Sequence, residues 1–157
     1  MKILHIDSKI GGLEIIEESD FITNLSFLRY KELIKNDCTP LLKETKRQID
    51  AYFEGKLKVF DLPLKLDGSD FRIKVLKALQ EIPYGEVVSY KDIALKIGNE
   101  KASRAVGMAN NKNKIPIIIP CHRVIGKSGK LVGYGGGLDI KTYLLNMEQY
   151  YLGLQPQ

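Results

Sequence analysis

Cys121, His122 and Arg123 are consecutive, and they follow the apolar run Ile115-Pro-Ile-Ile-Ile-Pro120. A thiolate is a nucleophile, and an adjacent base or cation favours it over the thiol. Cys121 is therefore a candidate nucleophile, with His122 as base and Arg123 as a nearby cation. A histidine base works best when its other ring nitrogen is held by a carboxylate. Glu148 can be that carboxylate if the last helix packs back on the core. Neighbours in an extended chain point to opposite sides, so Cys121 and His122 meet only if the chain turns there. Pro120 favours a turn; a water between the two residues is the alternative. The opposing reading is a buried, inert cysteine, which a Cys-His dipeptide does not exclude.

Caps and periodicity define the elements that must position these residues. Met1–Ile6, Leu13–Ile16 and Phe21–Leu28 read as short strands of a small antiparallel sheet, broken by Gly11-Gly12 and polar clusters. His5 lies on one of them as a packed or edge histidine. Thr39-Pro40 opens a helix, with Thr as N-cap and Pro at its first position. Leu42, Ile49, Tyr52 and Phe53 fall near helical spacing, and Gly55 ends the pattern. Cys38, just before the cap, reads as a small packed residue. Residues 56–70 form an extended connection. Ser69 or Asp70 caps the next helix, whose stripe is Phe71, Val75, Ala78, Leu79 and Ile82.

After Pro83-Tyr-Gly85, Ser89 and Asp92 have the spacing of a capping box. Ile93, Ala94 and Ile97 face inward, Gly98 supplies a turn, and a second helix runs from about Lys101 to Asn110. Asn110–Asn113 reads as a polar loop. Ile115–Ile119 reads as a buried extended segment that Pro120 stops. Gly126–Gly129 has the composition of a hairpin turn, and Tyr134–Gly137 is a glycine loop. Leu138–Tyr151 reads as a final helix with Ile140, Tyr143, Leu144, Met147 and Tyr151 on its apolar face.

Charge is divided along the chain. Residues 1–70 carry 11 Lys+Arg against 13 Asp+Glu, and residues 71–157 carry 13 against 6. The half with Cys121 is thus strongly basic, which on charge alone fits equally a polyanion partner such as nucleic acid and a solvated basic surface. Two cysteines far apart do not make a disulfide scaffold, and His5, Cys38, Cys121 and His122 lack the paired spacings of a zinc site. No apolar window is long enough for a membrane span, and the start has no secretory apolar region.

Helix, glycine turn, helix in a basic half is helix-turn-helix grammar. The second helix would expose Ala102, Ser103, Arg104 and Gly107. Reading base edges in the major groove needs long hydrogen-bonding side chains. Small residues instead permit close approach to a narrow minor groove, and one arginine among them could fill the gap left by a displaced base, although by itself Arg104 reads first as an ordinary surface arginine.

These residues together resemble the 6-O-alkylguanine-DNA alkyltransferases, or methylated-DNA–protein-cysteine methyltransferases. The likeness is carried by Pro120-Cys121-His122-Arg123-Val124 with the preceding Ile117–Ile119, and by Gly133-Tyr134-Gly-Gly-Gly137-Leu138. Upstream, Ile82-Pro-Tyr-Gly-Glu-Val-Val-Ser-Tyr90 and Ala102-Ser-Arg-Ala-Val-Gly107 match the family's helix-turn-helix. The resemblance implies an α/β (α+β) fold. A small antiparallel sheet with a helix, on a ribonuclease H-like plan, would occupy residues 1–68. A mostly helical, winged-helix-like domain with the helix-turn-helix would occupy residues 69–157.

The resemblance also implies roles. Cys121 would accept the alkyl group, and His122 with Glu148 would be the water-linked base that keeps it a thiolate. Asn113 would brace the turn, and Tyr90 would help rotate the nucleotide and assist the leaving guanine. Arg104 would fill the stack, with Lys101, Ala102, Ser103 and Gly107 beside it on the DNA. Pro116, Val124, Tyr134 and Gly135 would form the base pocket, the carbonyls of Cys121 and Val124 reading the guanine amino group. Gly135 stands where many members have a serine; its N–H still serves the base oxygen. Neither cofactor nor metal is implied. The implied partner is double-stranded DNA carrying 6-O-methylguanine, or 4-O-methylthymine, met through the minor groove by a monomer. The implied compartment is the cytoplasm, or the nucleus in a eukaryotic host. The competing functions are an alkylated-DNA binding protein without transfer, which Cys121 argues against, and a cysteine peptidase or acyl transferase, which lacks a convincing oxyanion loop.

Overall fold

The structure is a computed structural model, and it describes residues 1–28, 33–126, 129 and 133–153. The chain divides into two compact units, Met1–Lys65 and Leu66–Gln157.

In the first unit, β1 (Lys2–Ile6), β2 (Gly12–Glu18) and β3 (Phe21–Leu28) form an antiparallel sheet in sequential order. Ile3 pairs with Ile16 and Leu13 with Phe27, with a bulge between Ile16 and Glu17. Alternation places Leu4, Ile6, Leu13, Ile15, Ile22 and Leu25 in the core. Helix α1 (Pro40–Phe53) lies against β2 and buries Leu42, Ile49, Tyr52 and Phe53. Its cap is as expected: Thr39 Oγ1 accepts from the Leu42 N–H at 3.0 Å, a contact worth about 1 kcal/mol. His5 is a structural residue. Its Nδ1 accepts the N–H groups of Ile34 and Lys35, and its Nε2 meets Glu14 at 2.9 Å. Cys38 is exposed rather than packed.

The second unit is mostly helical: α2 (Asp70–Gln80), α3 (Tyr90–Lys96), α4 (Ser103–Asn111) and α5 (Leu138–Tyr151). Ser69 caps α2, and Ser89 with Asp92 forms a reciprocal capping box on α3. Gly98, at φ +80°, makes the turn between α3 and α4, which pack on each other and on α2. This is the expected helix-turn-helix. Two short strands, β4 (Val88–Ser89) and β5 (Val124–Ile125), pair in parallel, so the start of α3 lies beside the chain leaving Cys121. The α/β class expected from the sequence holds. No helix among the described residues is long and apolar enough to cross a membrane.

Three local expectations are corrected. Ile115–Ile119 is buried but is a tight turn, not an extended segment: the Ile119 N–H donates to Ile115 O at 2.9 Å, and Ile117 has φ +74°. Pro116 and Pro120 lack the N–H groups that a ladder needs. Left-handed strain of about 1–3 kcal/mol at Ile117 is outweighed by burying Ile115, Ile117, Ile118 and Ile119, at about 1.5–3 kcal/mol each. Second, α4 starts at Ser103 and continues through Asn110 to Asn111. Asn110 is a buried helical residue rather than part of a loop. Third, Tyr143 is exposed, and the buried stripe of α5 is Lys141, Leu144, Met147 and Glu148, a 3–4 residue spacing that includes two charges. The expected turn at Gly126–Gly129 is closed by a bond from the Gly129 N–H to Gly126 O at 3.2 Å; Lys127 and Ser128 lie outside the described residues.

Candidate active site

Cys121, His122 and Arg123 form one turn of 3₁₀ helix, so the chain does turn at Pro120. Asn113 holds the turn from the side. Its Nδ2 donates to Ile119 O and its Oδ1 accepts from the Ile115 N–H, both at 2.9 Å. Those are backbone groups that the proline-flanked run cannot pair by itself.

His122 and Glu148 are fully buried, with Nε2 and Oε2 2.7 Å apart. Glu148 also receives the Gly85 N–H at 3.0 Å and two bonds from the Arg123 guanidinium, each 2.9 Å. The third arm of Arg123 donates to Ile82 O at 2.8 Å. Burial by itself would raise the Glu148 carboxyl, but the hydrogen bonds from His122 and Arg123 and the charge of Arg123 overcome it and hold the group ionised. An ionised carboxylate only accepts, so His122 Nε2 carries the proton. Burial lowers the His122 pKa against the pull of Glu148, so the ring is neutral and Nδ1 is a free acceptor. Nδ1 is buried and bonded to no described residue, so it makes no direct bond to Cys121.

Cys121 is 5% exposed, and burial pushes its thiol up to about 11. The Asn113 side chain and the positive charge of Lys141 pull the other way. Burial thus weighs toward the thiol, so the proton needs a route away from the sulfur when it reacts. Lys141 was not anticipated: it is fully buried in α5, and its Nζ donates to Val124 O at 2.7 Å. Arg123, expected to favour the thiolate, is instead committed to Glu148. The Lys141 signal was its register, three residues before Leu144 and seven before Glu148 on one helical face.

Two cavities adjoin here. A groove of about 1100 Å³ is lined by Tyr90, Ser103, Arg104, Gly107, Met108, Asn111 and Gly133. A small cavity of about 30 Å³ holds Cys121 with Asn110, Asn113, Pro116, Tyr134 and Gly135, and shares Asn111 and Gly133 with the groove. Arg104 and Lys101 are exposed, and Ala102, Ser103 and Gly107 are half-buried. Burial and proximity to Cys121 both raise the Tyr90 hydroxyl. Tyr134 has a buried hydroxyl. A Cβ added to Gly135 would meet nothing within 4 Å, so packing does not require glycine there. Val124 is the exception among the expected pocket residues. It is fully buried, lines neither cavity, and its carbonyl is already engaged by Lys141. Met108, 61% exposed on the groove, was missed; it lies one helical turn from Arg104.

Fold and site thus define a helix-turn-helix domain with a buried Cys-His-Glu constellation beside its second helix. Residues 70–150 match the DNA binding domain of 6-O-methylguanine DNA methyltransferase, and residues 1–66 match the ribonuclease-like domain of the same family. The methylated-DNA–protein-cysteine methyltransferase of Methanosarcina barkeri is 50% identical over 149 residues, covering 92% of this chain and 94% of that protein. The constitutive enzyme of that name from Bacillus subtilis is 47% identical over 152 residues, covering 91% and 92%. The structure of Mycobacterium tuberculosis OGT in complex with DNA superposes with a TM-score of 0.88 at 45% identity, covering 96% of this chain and 94% of that one. The chain belongs to the 6-O-methylguanine DNA methyltransferase family.

Proposed function

We propose that this protein repairs DNA by moving the alkyl group of 6-O-methylguanine onto Cys121, irreversibly and once per molecule. Relatives at 47–50% identity carry the name of that activity. The observation that carries the reading here is a buried thiol in a methyl-sized cavity adjoining a groove edged by an exposed arginine.

The steps follow from the residues. A 6-O-methyl group in a duplex is out of reach of a buried sulfur, so the nucleotide must leave the stack, at about a few kcal/mol. Arg104 offsets part of that cost by entering the gap. Ser103 and Gly107 let the start of α4 approach the minor groove, with Lys101 and Ala102 alongside. Tyr90 flanks the displaced base and assists the leaving guanine. The base enters between Pro116, Tyr134 and the Gly135 N–H. The Cys121 carbonyl, and the Val124 carbonyl through its second lone pair, read the amino group. The thiol proton passes by way of a water to His122 Nδ1, while Glu148 and Arg123 fix the ring. Asn113 and Lys141 favour the thiolate as it forms. Sulfur attacks the methyl carbon, and guanine leaves. The thioether has no easy return, so turnover stops.

The finer parts of the reading are a monomer acting on double-stranded DNA in the cytoplasm, with 4-O-methylthymine as a second substrate. The test is the intact mass of the protein after incubation with a duplex bearing 6-O-methylguanine. One methyl, stoichiometric and not repeated, supports the reading. Tight binding with no gain in mass would favour a DNA-binding protein without transfer.

A further inference from the structure

Asn110 lies in the last turn of α4 and is 2% exposed. Its amide oxygen Oδ1 is buried and bonded to no described residue. Such an oxygen is costly, and native chains seldom keep one without a use. Asn110 also lines the cavity that holds Cys121. Asn113, on the same cavity, has its amide committed to Ile119 O and the Ile115 N–H. The Asn110 Oδ1 has no such commitment among the described residues. The cavity is small, at about 30 Å³, so a group that reaches it beside Cys121 lies close to that oxygen.

We propose that Asn110 sets the alkyl specificity of the Cys121 site. Its amide selects 6-O-alkylguanines whose alkyl group ends in a hydroxyl, such as 2-hydroxyethyl, over apolar chains of equal length. This rests on the reading of Cys121 as alkyl acceptor. A hydroxyl both donates and accepts, so it satisfies the amide whichever way the amide is turned. In the transfer, a bond forms between Cys121 Sγ and the carbon attached to the guanine oxygen. The carbon–oxygen bond breaks, and its electron pair returns to the ring. The thiol proton leaves through His122, and guanine takes one up at N1. The alkyl hydroxyl is a spectator throughout, held by Asn110.

The experiment compares single-turnover transfer from duplexes carrying 6-O-(2-hydroxyethyl)guanine and 6-O-propylguanine, with 6-O-methylguanine run in parallel. The proteins are the wild type, Asn110→Leu and, should that not fold, Asn110→Ala. The wild type takes hydroxyethyl at least about tenfold faster than propyl, the scale of one satisfied hydrogen bond. The folded variant brings that ratio to near one. A wild-type ratio near or below one, or a ratio unchanged in the variant, overturns the proposal while methyl transfer proceeds. No methyl transfer by the wild type overturns the acceptor reading, and this proposal with it.

Discussion

His122 Nε2 and Glu148 Oε2 lie 2.7 Å apart, and neither side chain is exposed at all. Twenty-six residues separate them in sequence, and the contact exists because α5 returns its Glu148 face to the turn at Cys121. The carboxylate does two tasks: it fixes the histidine tautomer and neutralises the buried Arg123.

Glu148→Gln therefore leaves a buried guanidinium without a counter-charge, which should cost about 3–5 kcal/mol of unfolding free energy. The folded pKa of Glu148 lies below its ordinary 4.5. Its contribution to stability is then fully present above about 4.5 and is lost as pH falls below that value. Denaturant melts between pH 7 and pH 3 should show this acid loss in the wild type and a smaller one in Glu148→Gln. Equal stability of the two at pH 7 contradicts the assignment.

The pH profile tests the proton path. The thiol is raised to about 11, and His122 is lowered from 6.5. If His122 takes the proton within the site, transfer from free 6-O-benzylguanine is flat between pH 7 and 9 and declines only below 6.5. If bulk hydroxide removed the proton, the rate would climb about tenfold per pH unit over the same range.

Lys141→Met removes the buried cation that favours the thiolate. Each unit by which the thiol pKa rises removes about tenfold of the reactive form. Single-turnover rates with free base should fall by at least about tenfold at neutral pH on that scale. A wild-type rate in a folded variant would show that Lys141 serves only to hold the Val124 carbonyl.

How much of this was legible in the sequence depends on what each residue type signals. The caps at Thr39, Ser69 and Ser89 were readable because a hydroxyl before an apolar period has one good use. The Cys121–His122–Glu148 set was readable from the motif and the length of α5. Ile115–Ile119 was not: a buried apolar run looks alike as a strand and as a packed turn, and only the Asn113 side chain decides between them. Lys141 and Arg123 were hidden because charges usually mark surface, and nothing local announces a partner far along the chain. Asn110 was hidden among polar neighbours that do read as a loop.

Arg104→Ala should separate flipping from chemistry. Duplex repair should slow by about tenfold to a hundredfold, which is roughly 1.4 kcal/mol per tenfold of a flipping cost of a few kcal/mol. Reaction with free 6-O-benzylguanine should be unchanged, since no stack is opened. Equal losses on both substrates would remove the wedge role. Duplex affinity should also fall with salt for both proteins.

The central claim is that Cys121 is a single-use alkyl acceptor. The most direct measurement is peptide-resolved mass spectrometry after reaction with excess 6-O-methylguanine duplex, followed by a second addition of fresh duplex. The predicted result is one methyl on Cys121, none on Cys38, none anywhere in Cys121→Ser, and no further repair on the second addition. Repair that continues beyond one equivalent, or a methyl that persists in Cys121→Ser, would contradict it.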